Sequence, residues 1–285
     1  MELRKHLGLI IRIKRGLMKP GYYATNAIHN SFQWFSLKRR IESEGISIGT
    51  SNSRTRDLWV ETEIATIPNS AKLLDAGSGE QKYRKLCKQL AYISQDNVAY
   101  DGIGDGYGGH VTNWSYGPTD YVCDITQIPV EGQHFDAVLC TEVLEHLPDP
   151  VEAIKELTRV LKPGGTLLLT APFCSFTHFS PYFYSTGFSQ NWYIYHLNNL
   201  GYTNIELTPN GNFFEYLAQE IRRLPIMCQK YTLTTDKWID RFAIFILLIF
   251  LEKCSSSDTK SNEYACYGWH VKAIKTINSL AGSSN

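Results

Sequence analysis

Leu73-Leu74-Asp75-Ala76-Gly77-Ser78-Gly79-Glu80 is the stretch on which the fold of this chain turns. The apolar run from Ala71 to Leu74 reads as a buried strand, two glycines break it, and helical spacing resumes from Gln81 to Leu90. Strand, glycine turn and helix open a nucleotide-binding βαβ unit. The glycines permit backbone angles that a Cβ forbids and let a ligand approach the main chain. The dinucleotide fingerprint is incomplete, because Lys82 stands where the third glycine of G-x-G-x-x-G belongs. Glu80 occupies the place where a helix N-terminus would receive a pyrophosphate, and its charge would repel that anion. The pattern argues against NAD or FAD and for a ligand without phosphates.

Downstream, strands and helices alternate. A second strand from Leu90 to Ser94 leads to Asp96, an acid at the offset where βαβ nucleotide sites bond ribose hydroxyls. The run Asp101-Gly-Ile-Gly-Asp-Gly-Tyr-Gly-Gly109 is too rich in glycine for a crossover helix and predicts a long loop over 97–119, either over the ligand's edge or a surface insertion. Further strands are expected at Asp120–Cys123, Phe135–Cys140 and Thr166–Thr170. A helix is expected from Pro150 to Leu161, with Lys162-Pro163-Gly164-Gly165 as its stop and turn. This alternation predicts a parallel sheet with right-handed crossovers. A helix over 187–200, a sixth strand over 203–208 and a last strand over 267–274 complete the pattern. Before the first strand, Arg54–Ile67 has helical spacing, with Leu58, Ile64 and Ala65 able to face inward.

Phe135-Asp136-Ala-Val, Glu142-Val-Leu-Glu-His146 and Arg159-Val-Leu-Lys-Pro-Gly-Gly165 follow the glycine turn in fixed order. Over residues 71–171 the chain resembles class I S-adenosylmethionine-dependent methyltransferases of the methyltransferase-11-like group, which act mainly on small molecules, sugars and lipids. The resemblance implies an α/β, Rossmann-like, seven-stranded and mostly parallel sheet with helices on both faces and an antiparallel last strand pair. It implies an enzyme with S-adenosyl-L-methionine as cofactor and a small-molecule, glycan or lipid-linked acceptor methylated on O or N. It also implies site roles. Asp75 organises the glycine turn, through the cofactor's ammonium, and Gly77, Ser78 and Gly79 pass beneath the methionine moiety. Asp96 accepts the ribose hydroxyls, Asp124 accepts from the adenine amino group, and Ile125 packs on the ring. Cys140, Thr141 and Glu142 line the methionyl side, Cys140 more as a small core residue than for chemistry, since apolar surroundings raise a thiol pKa. No metal is expected.

His178 lies among aromatics on the loop after the fifth strand, where open α/β sheets bind ligands, and is the candidate catalytic base. Adjacent helical residues do not face each other, so Glu145 and His146 do not read as a dyad, and His146 reads as a cap. Two other readings stand beside this one: an RNA methyltransferase, or a non-catalytic S-adenosylmethionine-binding module of a membrane-associated assembly. The DNA amino-methylating motif, proline-proline-aromatic after strand four, is replaced by Cys140-Thr-Glu-Val, so no DNA partner is expected.

The charge balance, 28 Lys+Arg against 28 Asp+Glu, shows no basic domain of the kind dedicated nucleic-acid binders carry. Seven scattered cysteines without a C-x-x-C pair read as reduced thiols of a cytoplasmic protein. Arg4, Lys5, Arg12, Lys14, Arg15 and Lys19 interrupt the apolar residues near the start, so a secretory signal is not expected; a solvated arm or a contact with anionic lipid is. Trp34, Phe35 and Leu37 are expected to pack on the domain. The expected organisation is a basic arm with helices over 1–52, the cofactor-binding core over 53–208, an inserted helical cap or membrane-contacting segment over 209–264, and a last core strand and tail over 265–285. Within the insertion, 213–224 has helical spacing. The apolar run Phe242–Leu251 is too short to span a bilayer and reads as a buried helix, with an interfacial anchor as the alternative.

Overall fold

The computed structural model describes residues 45–100 and 114–277. The basic arm, the aromatic residues near Trp34, the run Asp101–Gly109 and most of the tail lie outside them. The chain divides into two compact units after Ile46, and the elements below all belong to the second.

Seven strands form one sheet: β1 (Lys72–Ala76), β2 (Ala91–Asp96), β3 (Tyr121–Val122), β4 (Phe135–Thr141), β5 (Leu161–Pro172), β6 (Tyr202–Asn210) and β7 (Gly268–Lys275). Their order is β3-β2-β1-β4-β5-β7-β6. The pairs from β3 through β5 are parallel. β7 is antiparallel to both of its neighbours, so the last strand pair has the expected sense. Successive side chains point to opposite faces of a strand, and two cores result. Leu74, Val138, Cys140, Leu167 and Leu169 face one core, with α2 (Pro150–Val160) and α3 (Gln190–Asn199). Leu73, Ala137, Leu139 and Leu168 face the other, against Val60 and Ile64 of α1 (Asn52–Thr66). This is a Rossmann-like, mostly parallel sheet covered on both faces.

α2, α3 and the helix after β6 begin where a side chain caps them. Asp149 accepts from the Glu152 amide at 2.9 Å with Pro150 in the first turn, and Ser189 accepts from the Trp192 amide at 3.3 Å. Asn212 caps α4 (Phe213–Tyr231), accepting from Glu215 at 3.0 Å. α4 and α5 (Trp238–Ser256) stand between β6 and β7.

Several expectations are corrected. Gln81–Leu90 is not a helix; only Arg84–Leu86 forms a 3-10 turn. Local anchors override the helical spacing. Gln81 has φ 56° and donates to the Pro118 carbonyl at 2.8 Å, while Lys82 and Tyr83 both bond Asp57 of α1. In α1 the inward residues are Val60 and Ile64, whereas Leu58 and Ala65 are exposed. Lys162–Gly165 ends α2 but is absorbed into β5 as an irregularity opposite Asp136, with Lys162 Nζ 2.6 Å from Asp136 Oδ1. α4 continues past Leu224 through Pro225 to Tyr231, and it packs against α5. The run Phe242–Leu251 lies in α5 and is not buried as a whole: Leu248 and Leu251 are, while Phe242, Ile246, Ile249 and Phe250 are exposed. A helix that packs on one side only leaves its other side to solvent even when every residue is apolar.

Candidate active site

The chain runs outward from β1 through β2 to β3, then returns to place β4 on the other side of β1. This reversal opens a crevice at the carboxyl ends of β1 and β4, where open α/β sheets bind ligands. A cavity of about 830 Å³ lies there, towards the upper end of small-molecule sites. Asp75, Gly77, Ser78, Gly79, Asp96, Asp124, Ile125, Thr141, Glu142 and His178 all line it. Cys140 does not: alternation turns its side chain into the core, where it is fully buried and burial holds its thiol protonated.

The turn after β1 needs its glycines. Gly77 has φ 70°, and a Cβ there would come within 2.4 Å of Val143 Cγ2. Gly79 has φ 49°, and a Cβ would come within 2.6 Å of the Trp114 ring. The carboxylate of Asp96 closes the turn, accepting from the Gly79 amide at 2.8 Å and the Val98 amide at 2.9 Å. Gln95 accepts from the Gly77 amide at 3.2 Å and donates to the Cys123 carbonyl at 2.7 Å. Asp124 accepts from the Thr126 amide at 2.8 Å and hydroxyl at 2.7 Å. Asp75 is buried and accepts from the Tyr92 hydroxyl at 2.6 Å; burial, opposed by that hydrogen bond, raises its carboxyl to about 6.

On the β4 side, Glu142 has φ 53° and accepts from the Thr170 hydroxyl at 3.0 Å. Its other oxygen meets Arg56 Nη1 at 2.6 Å. Burial works against the Arg56 charge, but Glu142, Tyr83 and Asp57 together hold its pKa above the ordinary value. Sequence reasoning gave Arg56 no role. The available signal was an arginine at the head of the inward stripe Arg56, Val60, Ile64, one helical turn apart.

The outer wall is aromatic. Tyr100, Trp114 and Phe179 meet with ring centroids 4.7–5.9 Å apart. The loop after β5 folds back over the 3-10 turn Leu144–His146, where the Glu145 carbonyl accepts from the Tyr184 amide at 2.9 Å and the Ser185 amide at 3.2 Å. This contact brings His178 beside His146, ring centroids 4.8 Å apart. His146 Nδ1 donates to the Tyr182 carbonyl at 2.5 Å, and His178 Nδ1 donates to the Phe176 carbonyl at 2.9 Å. Both Nε2 atoms approach Oε1 of Glu145, at 3.7 Å and 3.9 Å. Glu145 and His146 therefore do approach each other, in a 3-10 turn and not the α-helical entry expected. Burial lowers His146 to about 4 and raises Glu145 well above the usual carboxylate range.

Residues 74–169 match the family model described as "Methyltransferase domain". Among curated proteins, the chain is 30% identical over 126 residues to the ubiquinone/menaquinone biosynthesis C-methyltransferase UbiE of Bordetella parapertussis, covering 44% of this chain and 45% of the relative. It is 42% identical over 52 residues to the ubiquinone biosynthesis O-methyltransferase of Coxiella burnetii, covering 18% of this chain and 22% of that protein. The chain thus spans less than half the length of these relatives. Among solved structures, a Haemonchus contortus phosphoethanolamine N-methyltransferase 2 in complex with S-adenosyl-L-methionine aligns at 16% identity with a TM-score of 0.47, covering 78% of this chain and 53% of the other. Residues 74–169 are thus similar to a methyltransferase domain, and they lie within the seven-stranded sheet described above.

Proposed function

We propose that the protein transfers a methyl group from S-adenosylmethionine to an O or N atom of a small-molecule acceptor, with glycans and lipid-linked molecules in the same range. The observation that carries this reading is the charge of the cavity. Its carboxylates Asp75, Asp96 and Asp124 line it beside the glycine turn, while each of its cations, Arg56, Lys82 and Arg223, is matched by a carboxylate: Glu142, Asp57 and Glu220. Among the described residues, a pyrophosphate finds no uncompensated arginine or lysine there. A cofactor carrying a sulfonium and an ammonium fits such a site, and the aromatic wall favours a cation near its faces.

When bound, S-adenosylmethionine supplies the electrophilic methyl group. The residues of this chain hold and orient it: Asp75 at the ammonium, Gly77, Ser78 and Gly79 beneath the methionine, Asp96 towards the ribose, Asp124 with Ile125 at the adenine, and Thr141 with Glu142 on the methionyl side. Tyr100, Trp114 and Phe179 shield the centre from water. His178 is the candidate to take the acceptor's proton, since donation from Nδ1 leaves Nε2 as its basic atom. The proposed organisation keeps the cofactor core over 53–208 with its last strand in 265–285, and assigns the helices of 209–264 to the acceptor side.

The test is radiolabelled methyl transfer into fractionated cell extract, with Gly77→Arg as control. Labelling of a small-molecule, glycan or lipid fraction in the wild type alone is expected; persistence in Gly77→Arg would remove the glycine turn as the site. No helix among the described residues is long and apolar enough to cross a membrane. The exposed stripe Ile239, Phe242, Ile246 and Ile249 on α5 supports a lipid-linked acceptor met by a cytoplasmic enzyme at the membrane surface. Flotation with anionic vesicles checks that part, and its failure leaves the soluble acceptors.

A further inference from the structure

We propose that Glu145, His146 and His178 form a binding site for one divalent first-row transition ion, open to the cavity on its fourth side. Glu145 is fully buried, and neither of its carboxylate oxygens finds a hydrogen-bond donor among the described residues. Burying a polar group without a partner costs free energy, and a carboxylate most of all. What surrounds Oε1 is a pair of imidazoles, with His146 Nε2 at 3.7 Å and His178 Nε2 at 3.9 Å. Each imidazole spends its Nδ1 hydrogen on a backbone carbonyl, of Tyr182 and of Phe176. That arrangement fixes the tautomer with the lone pair on Nε2, and it is the outer-shell contact that metal-ligating histidines make. The three ligand atoms lie within 4.8 Å of one another. A tetrahedral ion with bonds of about 2.0–2.1 Å would draw them closer by about an ångström, which side-chain rotation on a loop supplies.

Two nitrogens and one carboxylate oxygen select the ion class. Imidazole suits zinc, cobalt and iron, whereas magnesium and calcium take oxygen ligands. Three protein ligands with an open position match the pattern of catalytic sites, where the fourth ligand is water or substrate. Both histidines line the cavity and Glu145 lies behind them, so the open position faces the proposed acceptor. Ion binding stands on these residues alone; with the ion bound, the Nε2 lone pair of His178 is a ligand and no longer a base, and an acceptor oxygen as the fourth ligand rests on the methyl-transfer reading above.

The experiment is titration of the purified full chain with Co2+ and Zn2+, without cofactor or acceptor. Wild type is expected to bind one equivalent of Co2+ with the visible absorption of a four-coordinate nitrogen–oxygen site, displaced by Zn2+. His178→Ala and Glu145→Gln should each weaken binding by at least about tenfold. His178 sits on a loop, so its variant is expected to fold as wild type, checked by thermal denaturation; it decides the case if Glu145→Gln does not fold. Near-ultraviolet thiolate bands, no stoichiometric binding, or unchanged binding in His178→Ala would overturn the proposal. Because no methyl transfer is measured, failure here is separable from failure of the methyltransferase assignment.

Discussion

Asp75 shows how one buried group ties ligand binding to stability. Its carboxyl titrates at about 6 in the fold against an ordinary value of 3.8, because burial outweighs the Tyr92 hydrogen bond. A raised carboxyl stabilises the fold fully below the unfolded value, and that stabilisation is lost as pH rises through the folded value. The window is therefore between 3.8 and about 6, and the loss is on the order of 3 kcal/mol by pH 7. Asp75→Asn keeps an acceptor for Tyr92 but carries no charge. It is expected to exceed wild type in stability at pH 7 by up to that amount, with the gap closing below pH 4, and to bind S-adenosylmethionine more weakly. Urea denaturation across pH and calorimetry check both halves; parallel pH curves for the two proteins would refute the assignment. At pH 7 the fold thus holds a costly buried charge that a cationic ligand would compensate.

At the scale of elements, α5 separates burial from hydropathy. Leu251 is buried and Phe250, next to it, is exposed. Leu251→Ala is expected to cost about 2–5 kcal/mol, as large-to-small changes in packed sites do. Phe250→Ser should stay within about 0.5 kcal/mol of wild type. Thermal denaturation of the two variants distinguishes them; equal losses would mean that both faces are packed. The run reads alike at every position in the sequence, so periodicity has no contrast to detect. Only the neighbour, α4, chooses the side. The segment 81–90 shows the converse: its spacing is helical, but Asp57, Ser94 and Pro118, all distant in sequence, hold Gln81 to Tyr83 in another shape.

At the scale of the molecule, the sheet should unfold from its edges. β1, β4 and β5 each pair on both sides and pack both faces, while β3 is a two-residue edge strand. Amide exchange is expected to be slowest in Leu73–Leu74, Ala137–Cys140 and Leu167–Leu169, and faster by several orders of magnitude at Tyr121–Val122. Mass-spectrometric exchange checks this, and equal protection at the edge would contradict the architecture.

Much of the molecule is written locally. The strand–glycine–strand grammar from Leu73 to Thr170 sets the parallel core, since alternation and glycine conformation depend on neighbours in the chain. The glycine turn with Asp75 and Asp96, and the acid after the third strand, are likewise visible as spacing. What needed the tertiary structure is everything set by the meeting of distant segments. Arg56 reaches Glu142 because α1 packs across the sheet. Glu145, His146 and His178 converge only because the loop after β5 hydrogen-bonds back onto the 3-10 turn after β4. The sequence by itself determined the fold and the glycine turn, through short-range backbone preference and periodic hydrophobicity. The charge pairing of the cavity and the histidine cluster were decided by packing between segments far apart in the chain, a contact that no local pattern encodes.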